Sequence, residues 1–348
     1  MAEFFDISKW EEKPWYQTGG TRSKVIVENP GNHKDYYFKT SHKKEKIDYK
    51  YEFWSEIIAS EIGTSLGFNM LKYDIAYKGD EIGCISESMV TEGKNKLTEG
   101  ISYLTGFDTN YNPKHKTSKK QYSFQLIQNT LNFYSLNSFI ENIIQIIIFD
   151  SIIGNGDRHQ ENWGIITEYN EVIRSIEALA KKDKKNFIER QVYSLLTKMS
   201  KIKRNDIEAV VRDLQLIISV SGVFSPIYDS GSSLGREMDA AKIKQLTKDS
   251  MMMEAYIRRG VSEIHWEGEK HNHFELIQKI NMEYPDMVPK IITRVKDKYH
   301  VTSVRNIVEN IDINLPEHLT LNKLPADRKE FVIKLITLRI EKLISILQ

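Results

Sequence analysis

The stretch Gly154-Asn-Gly-Asp157-Arg-His159-Gln-Glu-Asn162-Trp-Gly164 constrains this chain more than any other. It follows an apolar run, Ile140 to Ile153, interrupted by Glu141, Asn142, Gln145 and Asp150. That run is too short and too polar to span a bilayer, so it reads as a buried helix. A Gly-Asn-Gly turn ends it, and Trp163-Gly-Ile-Ile-Thr167 reads as a strand. An Asp and an Asn five positions apart are therefore expected on a loop anchored at both ends. Phosphoryl transfer needs a carboxylate to orient and deprotonate the acceptor hydroxyl, and an oxygen ligand to hold Mg²⁺ on the phosphates. A polar turn in which Asp157 and Asn162 cap local backbone is the structural alternative.

Other segments decide between the two by their order. Phe224-Ser-Pro-Ile-Tyr-Asp229-Ser-Gly231 puts an Asp at the end of an apolar strand, where it can present a second oxygen to Mg²⁺. Lys39, in Tyr36-Tyr-Phe-Lys-Thr40, is a lone cation on a predicted strand and a candidate for the α- and β-phosphates. Its partner is expected to be Glu52 at the start of the next helix, with Glu56 one turn later as second candidate. Gly19-Gly20 sit between β-prone stretches, where backbone N–H groups can approach phosphates. They lack both G-x-G-x-x-G and G-x-x-x-x-G-K-[ST], so alone they read as a hairpin turn. Gly turn, strand Lys, helix Glu, the strand ending Glu87-Ser-Met89, D-x-x-x-x-N loop, strand-end Asp: this is the order a kinase requires.

The wider pattern predicts an α+β, two-lobed, protein-kinase-like fold. Residues 1–92 read as a small β-rich N-lobe with one main helix, in the order strand, strand, helix, strand, strand. The strands are expected to stop around Thr91 to Asn95. Residues 93–348 read as a large helical C-lobe, with helices near 124–153, 171–218, 239–259, 271–282, 286–298, 302–309 and 326–347. In the last, Phe331, Leu335, Leu338 and Ile346 are expected to form one buried face. The segment 171–218 reads as a helical insertion, with Lys181-Lys-Asp-Lys-Lys185 on a solvated face.

Composition excludes several classes. The chain has 348 residues with 49 Lys plus Arg against 48 Asp plus Glu, so no cationic excess demands DNA or an anionic membrane. The N-terminus lacks a signal-peptide pattern, no membrane span is apparent, and the lone Cys84 suits a reducing cytoplasm. His265, His271 and His273 are the one histidine cluster, and without matching Cys or carboxylate spacing they read as ordinary histidines.

With these residues in place, the sequence resembles the HipA-type bacterial serine/threonine kinases, the shorter CtkA-like and HipT-like members above all. Ile153-Gly-Asn-Gly-Asp-Arg-His-Gln-Glu-Asn-Trp-Gly resembles that family's G-N-x-D-x-H-x-x-N signature, and Ser225-Pro-Ile-Tyr-Asp229 its S-P-x-Y-D metal strand. Tyr51-Glu52 followed by Ile58-Ala-Ser-Glu-Ile-Gly63 resembles its N-E…L-A-x-x-L-G helix. The resemblance implies ATP and Mg²⁺ as cofactors, with Asp157 as catalytic base and Asn162 and Asp229 on the metal. It further implies Lys39 on the phosphates, Glu52 orienting Lys39, backbone around Glu87 and Met89 holding adenine, and His159 bracing the loop. A protein Ser or Thr is the implied substrate, and a cognate antitoxin or regulatory protein the implied partner, in a toxin or translocated-effector role. Two departures stand out. The family's autophosphorylated serine falls at Gln17, leaving Thr18, Thr21 and Ser23 as nearby hydroxyls, and Asn162 and Asp229 lie 67 positions apart. Rival readings are a phosphoinositide kinase, whose catalytic loop Gly-Asp-Arg-His-x-x-Asn-Trp also resembles, an aminoglycoside-type small-molecule kinase, and a nucleotide-binding pseudokinase.

Overall fold

In the computed structural model the described residues are 1–13, 24–44, 47–113, 115–168 and 222–348, with isolated positions between 178 and 194. Gly19, Gly20 and most of the predicted insertion 171–218 lie outside them. In chain order the strands are β1 (Phe4–Asp6), β2 (Glu11–Glu12), β3 (Lys24–Glu28), β4 (Asp35–Thr40), β5 (Lys43–Lys44), β6 (Ile47–Asp48), β7 (Asp74–Lys78), β8 (Glu81–Glu87), β9 (Asn95–Glu99), β10 (Gly164–Glu168) and β11 (Val223–Phe224). The α-helices are α1 (Glu52–Ser65), α2 (Gly100–Phe107), α3 (Phe124–Phe133), α4 (Ile140–Ile153), α5 (Ala240–Lys248), α6 (Ser250–Arg259), α7 (His273–Glu283), α8 (Met287–Lys298), α9 (Val301–Glu309) and α10 (Ala326–Ile344). The class is α+β, as expected: a β-sheet with one main helix leads, and a helical region closes the chain. Two compact units emerge, one made of 1–88, 141–158 and 226–348, the other of 89–140 and 159–225.

The first unit holds a six-stranded sheet in the order β1-β7-β8-β4-β3-β2, antiparallel except for β1 beside β7. Its hairpins turn where the sequence has turn residues. Asn29 Oδ1 accepts the Gly31 N–H at 2.8 Å between β3 and β4. Gly79, at φ 62°, closes β7 onto β8. One face of the sheet buries Ile7, Val27, Phe38, Ala76 and Ile85. Side chains alternate along a strand, so Lys39, next to Phe38, points to the opposite face.

Helix α1 buries eleven of its fourteen residues, the two glutamates of its first turns included. It stops at Gly67, whose φ of 83° only glycine adopts freely, with the Phe68 N–H donating to the Gly63 carbonyl at 2.9 Å. Trp54 donates its indole N–H to the Asn322 carbonyl at 2.9 Å, tying α1 to the C-terminal region. Helix α4 carries nine Ile and Phe side chains at 4% exposure or less, and a helix apolar all round belongs in a core. Helix α10 buries Phe331, Val332, Leu335, Ile336 and Ile340, whereas Leu338 is only half-buried and Ile346, also half-buried, lies in the 3₁₀ turn beyond its end.

Six strands rather than two precede α1, since β1, β2, β5 and β6 are absent from the expected order, and three further boundaries differ. The helix expected over 124–153 is two helices, because Ser135 at φ 60° ends α3 and the Leu136 N–H turns back to the Leu131 carbonyl. The one expected over 239–259 breaks at Asp249, whose carboxylate caps α6 by accepting the Met252 N–H at 3.0 Å. Strands do not stop near residue 95: polar β9 pairs with β10 through Ile165↔Thr98.

The second unit contains this three-stranded sheet, β11-β10-β9, with α2 and α3. Trp163 is its anchor. The indole is 1% exposed, lies parallel to Phe224 with centroids 6.1 Å apart, and donates to the Tyr122 hydroxyl at 3.0 Å. A Cβ on Gly100 would lie 2.2 Å from that ring. Helix propensity alone favours Ala over Gly by roughly 0.5–1 kcal/mol. The clash opposes this with about 1–3 kcal/mol of overpacking. Gly100→Ala is therefore expected to lower the urea midpoint of the second unit, and an unchanged or raised midpoint contradicts this packing.

Candidate active site

Lys39 is the hub of a buried polar cluster in the first unit. Its ammonium pairs with the Glu56 carboxylate and with Asp229 Oδ1, and the Lys39 and Glu56 side chains are only 7% and 0% exposed. Glu56 Oε2 also accepts the Ser230 N–H at 2.7 Å, so α1 holds the residue that follows Asp229. Asp229 sits in the left-handed region at φ 53°, uncommon for a side chain with a Cβ. Its N–H donates to the Tyr73 hydroxyl at 3.3 Å. Burial pushes that hydroxyl well above its ordinary pKa, and the charges of Glu56 and Asp229 push it the same way. Tyr73 is thus neutral and able to accept.

The expected partnership of Lys39 with Glu52 is made instead by Glu56, one turn further along α1. Glu52 accepts the His42 N–H at 2.9 Å and pairs with Arg236, whose guanidinium lies 4.6 Å from the Tyr49 ring centroid. Both glutamates lie on one helix face, so each finds a cation.

Asp157 follows the turn after α4. Its N–H donates to Asn155 Oδ1 at 3.1 Å, and its Oδ2 accepts the Ser232 hydroxyl at 2.9 Å. The neighbouring Arg158 fixes the loop. Its Nε and Nη2 donate to the two oxygens of Asp150 at 3.0 and 2.8 Å, Nη2 also reaches Ser230 Oγ at 3.2 Å, and Nη1 donates to the Tyr228 carbonyl. Asp150 additionally accepts the Asn155 side-chain amide at 3.0 Å. Arg158 and Asp150 are 1% and 2% exposed, so the pair is dry. Arg158 thus braces the loop from the buried side, and His159, one-third exposed, lies 3.1 Å from Glu161 of the same loop.

The remaining expected residues are placed as follows. Asn162, in the second unit, is 4% exposed, and its N–H donates to the His159 carbonyl at 2.9 Å. Glu87 ends β8, its exposed carboxylate paired with Lys34 at 2.6 Å. The next N–H, that of Ser88, donates to Asp35, and half-buried Met89 follows at a bend. Over Lys39, Arg158, Arg236, Glu52, Glu56, Asp150, Asp157 and Asp229, carboxylates outnumber cations five to three. Among the described residues no group of three or more His, Cys, Asp or Glu side chains is arranged to hold a metal ion, and Asp229 alone could supply a carboxylate oxygen of the kind Mg²⁺ takes.

No family model and no curated protein matches the sequence. Among solved structures the chain is similar to the Helicobacter pylori proinflammatory kinase CtkA, with a TM-score of 0.69 at 16% identity over 99% of this chain and 96% of that one. The fold is that of the CtkA kinase. It also matches HipA of Shewanella oneidensis MR-1, solved with HipB and operator DNA, at TM-score 0.49 and 12% identity over 97% of this chain and 67% of that one.

Within this CtkA-like fold, Asp150, Arg158, Ser230, Ser232 and Arg236 join the cluster without belonging to the sequence motifs. One of them was detectable. A lone Asp within Ile146-Ile-Ile-Phe-Asp-Ser-Ile-Ile153 must be paired if the helix is buried, and Arg158 is the nearest cation in the chain. Removing one partner of a buried pair strands the other, so Arg158→Ala is expected to cost about 3–5 kcal/mol of unfolding free energy. In the double variant Arg158→Ala/Asp150→Ala, denaturant titration should show a loss well below the sum of the single losses. Strict additivity would contradict a coupled pair.

Proposed function

We propose that this chain is an ATP- and Mg²⁺-dependent phosphotransferase, a HipA-like serine/threonine protein kinase. The observation that carries the reading is Lys39 held between Glu56 and Asp229, in the unit where Arg158 ties the segment of Asp229 to the loop of Asp157. A lysine fixed by a helix glutamate beside a metal-binding Asp is the arrangement that protein kinases require.

In this account Lys39 binds the α- and β-phosphates, and Glu56 keeps its ammonium in place. Asp229 is an oxygen ligand for Mg²⁺ in the first unit, the sequence resemblance alone adds Asn162 as a second, and the ion would neutralise phosphate charge when bound. Asp157 takes the proton of the acceptor hydroxyl, with its backbone fixed by Asn155. Gly19 and Gly20 cover the phosphates with backbone N–H groups, and the backbone near Glu87 and Met89 receives adenine. These last assignments rest on position in the sequence. The substrate is a protein Ser or Thr, the setting cytoplasmic, and a regulatory partner chain of the antitoxin kind follows from the sequence resemblance. No helix among the described residues is long and apolar enough to cross a membrane.

A positioned general base contributes roughly 10²–10⁴-fold. With Mg²⁺ and labelled ATP, Asp157→Asn should therefore lose transfer to protein by about that factor while keeping its circular dichroism. Phosphoinositides offered beside total protein complete the test. Label in lipid alone would make the enzyme a lipid kinase, and nucleotide binding without transfer a pseudokinase. Undiminished transfer by the Asn variant would remove Asp157 from the mechanism.

A further inference from the structure

We propose that Ser232 is a modification site, the chain's own phosphoryl acceptor, seated on the catalytic base; this rests on the phosphotransferase reading above. A general base must lie about 2.6–3.2 Å from the oxygen whose proton it takes. The Ser232 hydroxyl meets that requirement, donating to Asp157 Oδ2 at 2.9 Å.

The surrounding segment singles out this serine. Ser230, Ser232 and Ser233 all follow Asp229 closely, but Ser230 and Ser233 are each 2% exposed. Ser230 Oγ accepts from Arg158, and the Ser233 hydroxyl donates to the Ser230 carbonyl at 2.6 Å. Only Ser232, half-buried, brings its hydroxyl to the base. The segment is also held still. Ser230 N–H bonds Glu56, Leu234 N–H bonds the Ile153 carbonyl at 3.0 Å, and Leu234 and Gly235 take left-handed φ values of 54° and 69°. A nucleophile held on its base in the same chain needs no bimolecular encounter between acceptor and enzyme.

The step balances as an ordinary phosphoryl transfer from a nucleoside triphosphate. Ser232 Oγ forms a bond to the γ-phosphorus, and the bond from that phosphorus to the β,γ-bridging oxygen breaks. The electron pair leaves on the nucleoside diphosphate, and the serine proton passes to Asp157 Oδ2. The product would carry about −1.5 to −2 charge directly against Asp157 and three residues from Asp229. That charge repels the phosphates of the next nucleotide, so modification would slow further turnover. Until then, any external hydroxyl must displace Ser232 from Asp157.

The full chain, incubated with Mg²⁺ and ATP alone, should gain one phosphoryl group on the peptide containing Ser232. The rate should be independent of protein concentration, and Asp157→Asn should abolish it. Ser232→Ala should lose that phosphate and act several-fold faster on an external protein acceptor. Ser232→Glu should bind a non-hydrolysable Mg²⁺·ATP analogue several-fold more weakly than wild type by calorimetry. If wild type labels an external protein while Ser232 stays bare, this inference fails and the kinase reading stands. The inference also fails if Ser232→Ala slows transfer to the external acceptor, because Ser232 would then be positioning Asp157. Absence of transfer to any acceptor would overturn both.

Discussion

The buried ion pair of Arg158 with Asp150 is the constraint on which the rest of the site depends. Taking two charges out of water costs several kcal/mol per ion, and attraction between them offsets this only with good geometry and further hydrogen bonds. Here the pair is bidentate. Asn155 donates to Asp150, and the remaining guanidinium donors reach the Tyr228 carbonyl and Ser230 Oγ. The bonds to Asp150 connect the end of α4 to the loop of Asp157, and those to Tyr228 and Ser230 connect that loop to the segment of Asp229. From Ser230 the path continues through its N–H to Glu56 and on to Lys39. One contiguous set of charge-assisted bonds thus fixes a lysine, a metal-type carboxylate and a base-type carboxylate within one unit.

That fixation explains how Asp229 keeps a left-handed backbone. Such a conformation costs roughly 1–3 kcal/mol and persists where the surroundings over-determine it. Tyr73 accepts its N–H, Lys39 takes its carboxylate, and the next residue is held by Glu56 and Arg158. Lys39 itself would be unstable in a dry sheet face without its two carboxylates. Structure and candidate chemistry are therefore inseparable: the bonds that stabilise the cluster also aim it.

Much of this was legible in the sequence, because the loop 153–164 and the segment 225–229 carry their Asp and Asn residues at motif spacing, although the strand expected to end at Asp229 stops at Phe224. The choice between Glu52 and Glu56 was not, since residues four apart share one helix face and periodicity cannot separate them. Only the tertiary position of Arg236 assigns Glu52 elsewhere. Arg158 hides between Asp157 and His159, which fit the motif, although the lone Asp150 in an isoleucine-rich helix calls for a cation. Strand β9 escaped because Asn95-Lys-Leu-Thr-Glu99 is mostly polar, and pairing with β10 overrides that composition. The breaks at Ser135 and Asp249 are single-residue events inside otherwise helical patterns, which a window of hydrophobic period averages away.

The central claim is that Lys39, held by Glu56 and Asp229, is the phosphate-binding cation. Calorimetric titration with a non-hydrolysable Mg²⁺·ATP analogue tests it without requiring turnover. A hydrogen bond to a charged group is worth about 1.5–3 kcal/mol, so Lys39→Ala should weaken binding roughly ten- to a hundred-fold. Glu56→Gln should weaken it in the same direction, with secondary structure unchanged in both variants. Wild-type affinity in a folded Lys39→Ala protein would contradict the account.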